Sequence, residues 1–279
     1  MKSVFSYRAN RILYNFIKSN GIKGDVIIPA NLCHSVVDTL LFAGLNLSVV
    51  DISEETLCAD ESQVLERVAE ASMLIFVHTY GVESACPEWF SDVRRLNSNI
   101  AIVDDRCLCL PQLSLYESTA DLVLYSCCSK KQVDLGIGGI GHVSDRWKYE
   151  DNSVACNPVL TNDSWTPDYH LIERRAFEVI KHKASLNEVY SKALPAEFQL
   201  KDGFQQWRFN IVVPHKEKVL QRIFDAGLFG SSHYKPLSSS CPVATELQMH
   251  VINLFNDFYY SVEQAQQTCE IINRVICEK

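Results

Sequence analysis

Ile100-Ala101-Ile102-Val103-Asp104-Asp105 is a run of four apolar residues that closes on two carboxylates. A strand apolar on both faces belongs between two layers of helices, as in a parallel α/β sheet. Ligands of such sheets sit at the carboxyl ends of the strands, so the aspartates stand where a ligand's charge partner is expected. The same pattern recurs on either side. Val26-Ile27-Ile28-Pro29, Leu47-Ser48-Val49-Val50-Asp51, Met73-Leu74-Ile75-Phe76-Val77, Leu122-Val123-Leu124-Tyr125 and residues 138–143 read as further strands. Helical spacing of apolar residues is present at 9–19, at 36–41 before Gly44, at 60–71 and at 87–96. Polar residues gather at the strand ends: Asp51, His78 with Tyr80, Asp104 with Asp105, and Ser126. The predicted fold class is α/β, a mostly parallel central sheet flanked by helices.

After residue 145 the chain changes character. Residues 145–168 are polar and irregular, and 169–194 read as one long helix. A strand at 207–213 and helices at 215–226, 243–254 and 261–277 suggest a small α+β unit, with the aromatic stretch 255–260 as core and turn. The expected division is a large ligand-binding domain at 1–168 and a helical connector with a small C-terminal domain at 169–279.

The 279 residues are 47% hydrophobic and 22% charged, which suits a globular chain of one large domain, or a medium one with a small one. A formal charge of -8 argues against non-specific nucleic-acid binding. No apolar run reaches the roughly 18 residues that span a bilayer, and no secretory h-region opens the chain, so no membrane partner and a cytoplasmic location are expected. The cysteines number eleven, an odd count, and the clusters Cys107-x-Cys109 and Cys127-Cys128 lack the paired spacing of zinc sites. Free thiols and no metal site are expected.

Chemistry concentrates in one segment: Ser126-Cys127-Cys128-Ser129-Lys130-Lys131-Gln132-Val133-Asp134-Leu135-Gly136-Ile137-Gly138-Gly139. A serine after a strand, a lysine and a glycine run are parts that a phosphorylated aldehyde cofactor needs: an amine for an imine, a hydroxyl for the phosphate, and glycines for close approach. The segment resembles the S-F-x-x-T-K-x-x-x-x-G-x-G-G of the DegT/StrS sugar aminotransferases, which have the type I pyridoxal 5'-phosphate (PLP) transferase fold. Further pieces follow in order. Gly24–Ala30 resembles G-D-E-V-I-x-P-x, and Phe42-Ala43-Gly44 with Val50-Asp51-Ile52 resembles A-G-x-x-P-V-F-V-D-I. Val77–Gly81 resembles V-H-L-Y-G, and Val103-Asp104-Asp105 resembles I-E-D. His233–Leu237 resembles H-Y-x-P-L, and Cys241–Ala244 resembles C-P-x-A. The likeness spans most of residues 6–275.

The resemblance implies roles. Lys131, set by its distance from Ser126 and Gly136, would carry the cofactor, and Asp105 would face the pyridine nitrogen. Ser126 would touch the phosphate, with Asn10 and Arg11 at the start of the first helix. Cys33, or His34, would stand where the family stacks an aromatic on the ring, and His78 would contact cofactor or substrate. Glutamate or glutamine would donate the amine to a keto-sugar, a nucleotide-linked one of surface-polysaccharide or secondary-metabolite synthesis. A homodimer is implied. Departures accompany these roles. The family's S-G-T-A-A-L is here Arg8–Leu13, with Asn10 for the threonine, and Leu108 replaces the glutamine of E-D-x-x-Q. The connector after 145 is short, and Asn157 and Asn162 are candidates for the asparagine that a neighbouring subunit contributes. A non-catalytic homologue, or another PLP reaction such as sugar dehydration, stays open; in related dehydratases a histidine replaces the lysine.

Overall fold

The computed structural model describes residues 1–82, 87–113, 118–151 and 165–278, apart from the side chains of residues 87 and 88. Asn157 and Asn162 lie outside the described residues. Seven described strands form the main sheet: β1 (Lys2–Ser6), β2 (Gly24–Pro29), β3 (Leu45–Val50), β4 (Met73–Val77), β5 (Ala101–Asp105), β6 (Leu122–Ser126) and β7 (Gly139–Val143). Their order is β1-β7-β6-β5-β4-β2-β3. Strands β2 to β6 pair in parallel, whereas β7 is antiparallel to both β6 and β1. The sheet is therefore mostly parallel, as its apolar strands predict. β1 was not read as a strand in the sequence, because its residues alternate exposed and buried without a continuous apolar run.

Two helical layers cover this sheet. On the front face, α1 (Ala9–Ser19) and α2 (His34–Ala43) pack Ile12, Leu13, Phe16, Val36 and Leu40 against Val26, Ile28, Met73, Ile75, Ala101 and Val103. On the back, α3 (Glu61–Arg67) and α4 (Pro87–Leu96) bring Val64, Phe90 and Val93 to Leu74, Phe76, Ile102 and Val123. Strand residues alternate between these layers. Fully burying a side chain such as Ile12 or Phe16 contributes roughly 1.5–3 kcal/mol. The predicted helix at 60–71 is shorter, ending at Arg67.

A second sheet, ordered β8-β10-β9, is antiparallel and comprises β8 (Phe209–Val212), β9 (Gly230–Ser231) and β10 (Val251–Leu254). Its core is shared with α6 (Lys216–Asp225) and α8 (Val262–Cys277). The helix predicted at 243–254 divides: α7 (Pro242–His250) stops and Val251–Leu254 becomes the central strand. All four strand residues are buried and pair with β8, and Asn253 and Leu254 pair with β9 as well, which outweighs continued helix. Helix α5 (Tyr169–Ala193) links the two cores, burying Ile172 in the first and Leu186 and Tyr190 in the second.

Two features of this architecture are open to direct measurement. A Cβ on Gly139 would lie 2.3 Å from the Ala9 nitrogen and 2.5 Å from the Arg8 carbonyl carbon, so only glycine lets β7 cross the start of α1. Gly139→Ala is expected to lower unfolding free energy by about 3 kcal/mol, read from urea denaturation. The second feature is Lys183 on α5, buried with its Nζ donating to the Trp207 carbonyl at 2.5 Å and to Asn256 Oδ1 at 2.9 Å. Burial, and then the neighbouring Arg208, push its pKa down to about 7. Between that value and the ordinary lysine range the unfolded chain binds the extra proton, so this group makes stability rise with pH. The stability of Lys183→Met relative to wild type is expected to fall as pH rises from 7 to 9.5; a pH-independent difference in urea melts would contradict this.

Candidate active site

Asp104 and Asp105 are neighbours on β5 and point to opposite faces. Asp104, fully buried on the back, lies 2.5 Å from His78 Nε2 and accepts from Arg106 Nε at 2.8 Å. His78 Nδ1 lies 2.8 Å from the Val82 carbonyl. Both ring nitrogens of His78 are thus engaged, and the residue is sealed from solvent. The structure does not bring His78 to the front with Asp105; the alternation of β4 sends it to the other side.

Asp105 lies on the front face, nearly buried, and accepts from the Cys107 amide at 3.0 Å. The Cys107 thiol joins the same carboxylate. Burial first, and then the charge of Asp105, push that thiol well up, while the ammonium of Lys131 opposes the shift. Asp105 and Lys131 therefore act on one sulfur from the β5 end and from the loop after β6. Lys131 is half-buried, and its Nζ makes no hydrogen bond or ion pair with a described residue. Lys130 is exposed instead.

The other predicted residues divide. Ser126 is buried at the end of β6, and its Oγ accepts from the Cys128 amide at 3.3 Å. Asn10 Nδ2 donates to the Ser35 carbonyl at 2.8 Å, tying the starts of α1 and α2 together. No side chain caps either helix at its N-terminus, which leaves main-chain N–H groups as anion donors. Cys33, the N-cap of α2, contacts Tyr234, whose phenol is raised by burial, by Cys33 and by Asp105. His34 meets Tyr234 edge to face at 5.8 Å. Arg11 turns elsewhere: it pairs with Asp151 at 2.8 Å, and Asn15 donates to the same oxygen at 2.9 Å. Its position on α1 directs it away from the helix start.

Cys107 and Tyr234 complete a cluster that motif spacing alone did not assemble. Lys131 also borders a cleft of about 220 Å³ with Asp134, Arg175, Asp257, Phe258 and Tyr259. A wider cleft of about 470 Å³, lined by Gly81, Pro111, Gln112 and Gln206, lies past Gln132. Among the described residues no group of three or more His, Cys, Asp or Glu side chains is placed to hold a metal ion. No described helix is long and apolar enough to cross a membrane.

No protein-family model matches the sequence, and no curated protein does. Solved structures do. A DegT DnrJ EryC1 StrS aminotransferase from Brucella abortus is similar at TM-score 0.77 and 13% identity, over 100% of this chain and 87% of that one. DesI, solved with its TDP-sugar product, is similar at TM-score 0.80 and 15% identity, over 100% and 81%. The sugar aminotransferase CalS13 from Micromonospora echinospora is similar at TM-score 0.73 and 15% identity, over 98% and 87%. At these identities the likeness establishes the fold, which is that of the type I PLP transferases.

The shared effect on Cys107 gives a test of the site geometry. Asp105→Asn is expected to lower the thiol's pKa and Lys131→Ala to raise it, so alkylation of Cys107 at pH 9, followed by peptide mass spectrometry, should speed up in the first variant and slow in the second. Shifts of the same sign in both would refute the arrangement.

Proposed function

We propose that this chain is a PLP-dependent aminotransferase that moves an amino group from glutamate or glutamine to a keto-sugar, nucleotide-linked, in surface-polysaccharide or secondary-metabolite synthesis. One observation carries the reading: a lysine amine that pairs with no described residue and a buried carboxylate converge on Cys107, at the strand ends where this fold binds ligands. The residues present fit the cofactor. Gly139 lets the chain pass against the uncapped start of α1, which offers N–H groups to a phosphate, and Ser126 lies on the same front face.

In this reading Lys131 holds the cofactor and Asp105 pairs with its protonated ring nitrogen. Ser126, Asn10 and the first turn of α1 receive the phosphate, and Cys33 packs toward the ring. Arg11, held by Asp151, supports the helix rather than the phosphate. When bound, the cofactor supplies an aldehyde for amines and an electron-withdrawing ring. Lys131 Nζ, which pairs with no described residue, would take and return a proton as general base and acid. The half-buried setting limits water at that amine. A homodimer working in the cytoplasm belongs to the same proposal, as does a division into a large domain at 1–168 and a smaller unit at 169–279.

The test is reduction with borohydride after adding PLP, followed by peptide mapping. The label is expected on Lys131, and Lys131→Ala should lose it and slow pyridoxamine formation from glutamate by about 10³-fold. A label on another lysine, or none, would overturn the reading. A non-catalytic homologue is the second reading, favoured by the commitment of Arg11 to Asp151; a labelled protein that forms no pyridoxamine with any donor would support it.

A further inference from the structure

We infer that Trp207 is a positioning residue for Lys131, holding the backbone of its loop without bonding the amine; this rests on the role proposed for Lys131. Lys130 has φ +66, a left-handed conformation that a non-glycine residue keeps only when its surroundings hold it. Its amide donates to Asp134 Oδ2 at 2.8 Å, and its carbonyl accepts from Trp207 Nε1 at 2.8 Å. On the other side of Lys131, Gln132 Nε2 donates to the Gln206 carbonyl at 2.7 Å. Two consecutive residues, 206 and 207, thus grip the residues before and after the lysine.

The grip has a rigid base. The Trp207 amide donates to the Tyr80 carbonyl at 3.1 Å, and its own carbonyl accepts from Lys183. The indole lies parallel to the Tyr80 ring, with centroids 6.5 Å apart and 4° between planes. The Arg208 guanidinium lies 4.9 Å from the Trp207 ring. Tyr80 follows β4 and Lys183 belongs to α5, so both helical connector and main sheet fix the tryptophan. An exposed turn carbonyl such as that of Lys130 is readily served by water, so its capture by a fixed indole is not needed for burial. What the capture does is set where the lysine side chain begins. A misplacement of about 1 Å at a reacting group slows chemistry by roughly a hundredfold.

Trp207→Phe keeps an aromatic ring and removes the N–H. In the full-length, cofactor-loaded protein it is expected to keep the borohydride label on Lys131. The half-reaction with glutamate should slow about tenfold, the effect of one hydrogen bond, with half-saturating glutamate within about twofold of wild type. Amide hydrogen exchange across 128–136 should quicken, with or without cofactor. Gln132→Met should act in the same direction, and it serves as the reading if Trp207→Phe does not fold. Faster exchange with an unchanged half-reaction would make the contact a structural tie and overturn the inference, as would no change in either. Loss of the label from wild type itself would instead refute the proposed role of Lys131, and the inference with it.

Discussion

Consecutive residues of a strand face opposite ways, and that constraint divides the two carboxylates that end β5. The division gives each a distinct environment. Asp104 goes to the back, where His78 and Arg106 surround it and no solvent reaches it. Leaving a carboxylate there without partners would be strongly destabilising, so the histidine and arginine are needed for the fold whatever the protein does. Asp105 goes to the front, where the Cys107 amide donates to it and the Cys107 thiol lies beside it. The back-side network anchors the strand end from which Asp105 projects.

The sheet was legible because its strands are short, apolar on both faces and separated by helical spacing. Motif spacing singles out Lys131 and Asp105, and the structure sets both near Cys107. His78 was harder: the sequence places it at a strand end but does not say which face the ring takes, and parity with Phe76 rather than Val77 decides it. Arg11 looked suited to an anion because it opens a helix, yet the helical turn carries it to Asp151. The strand at Val251–Leu254 was hidden in an apolar run that fits either helix or strand, and only the neighbours β8 and β9 resolve it. Trp207 gave no sign of its contact, since its partner is 77 residues away.

The second core contains an unusual concentration of buried charge. Arg208 lies between Trp207 and Phe255, 4.4 Å from the latter ring, and pairs with Asp257 at 2.8 Å. Lys183 approaches the same group from α5. The Arg208 guanidinium and the Lys183 amine share one carboxylate, and the aromatic faces and carbonyls around them supply the rest of the stabilisation. The arrangement places polar links, which are directional, where the long helix joins the second sheet.

Chain order adds a consequence for biosynthesis. β1 finds its partner only when Val143, opposite Lys2 in the ladder, has emerged from the ribosome. The earliest of the described strands of this sheet is therefore among the last to join it, and its edge stays bare through much of translation. The loop bearing Lys131 waits longer still, for an indole made 77 residues after Lys130. A nascent chain can therefore hold a largely assembled sheet while the loop bearing Lys131 is not yet fixed in place.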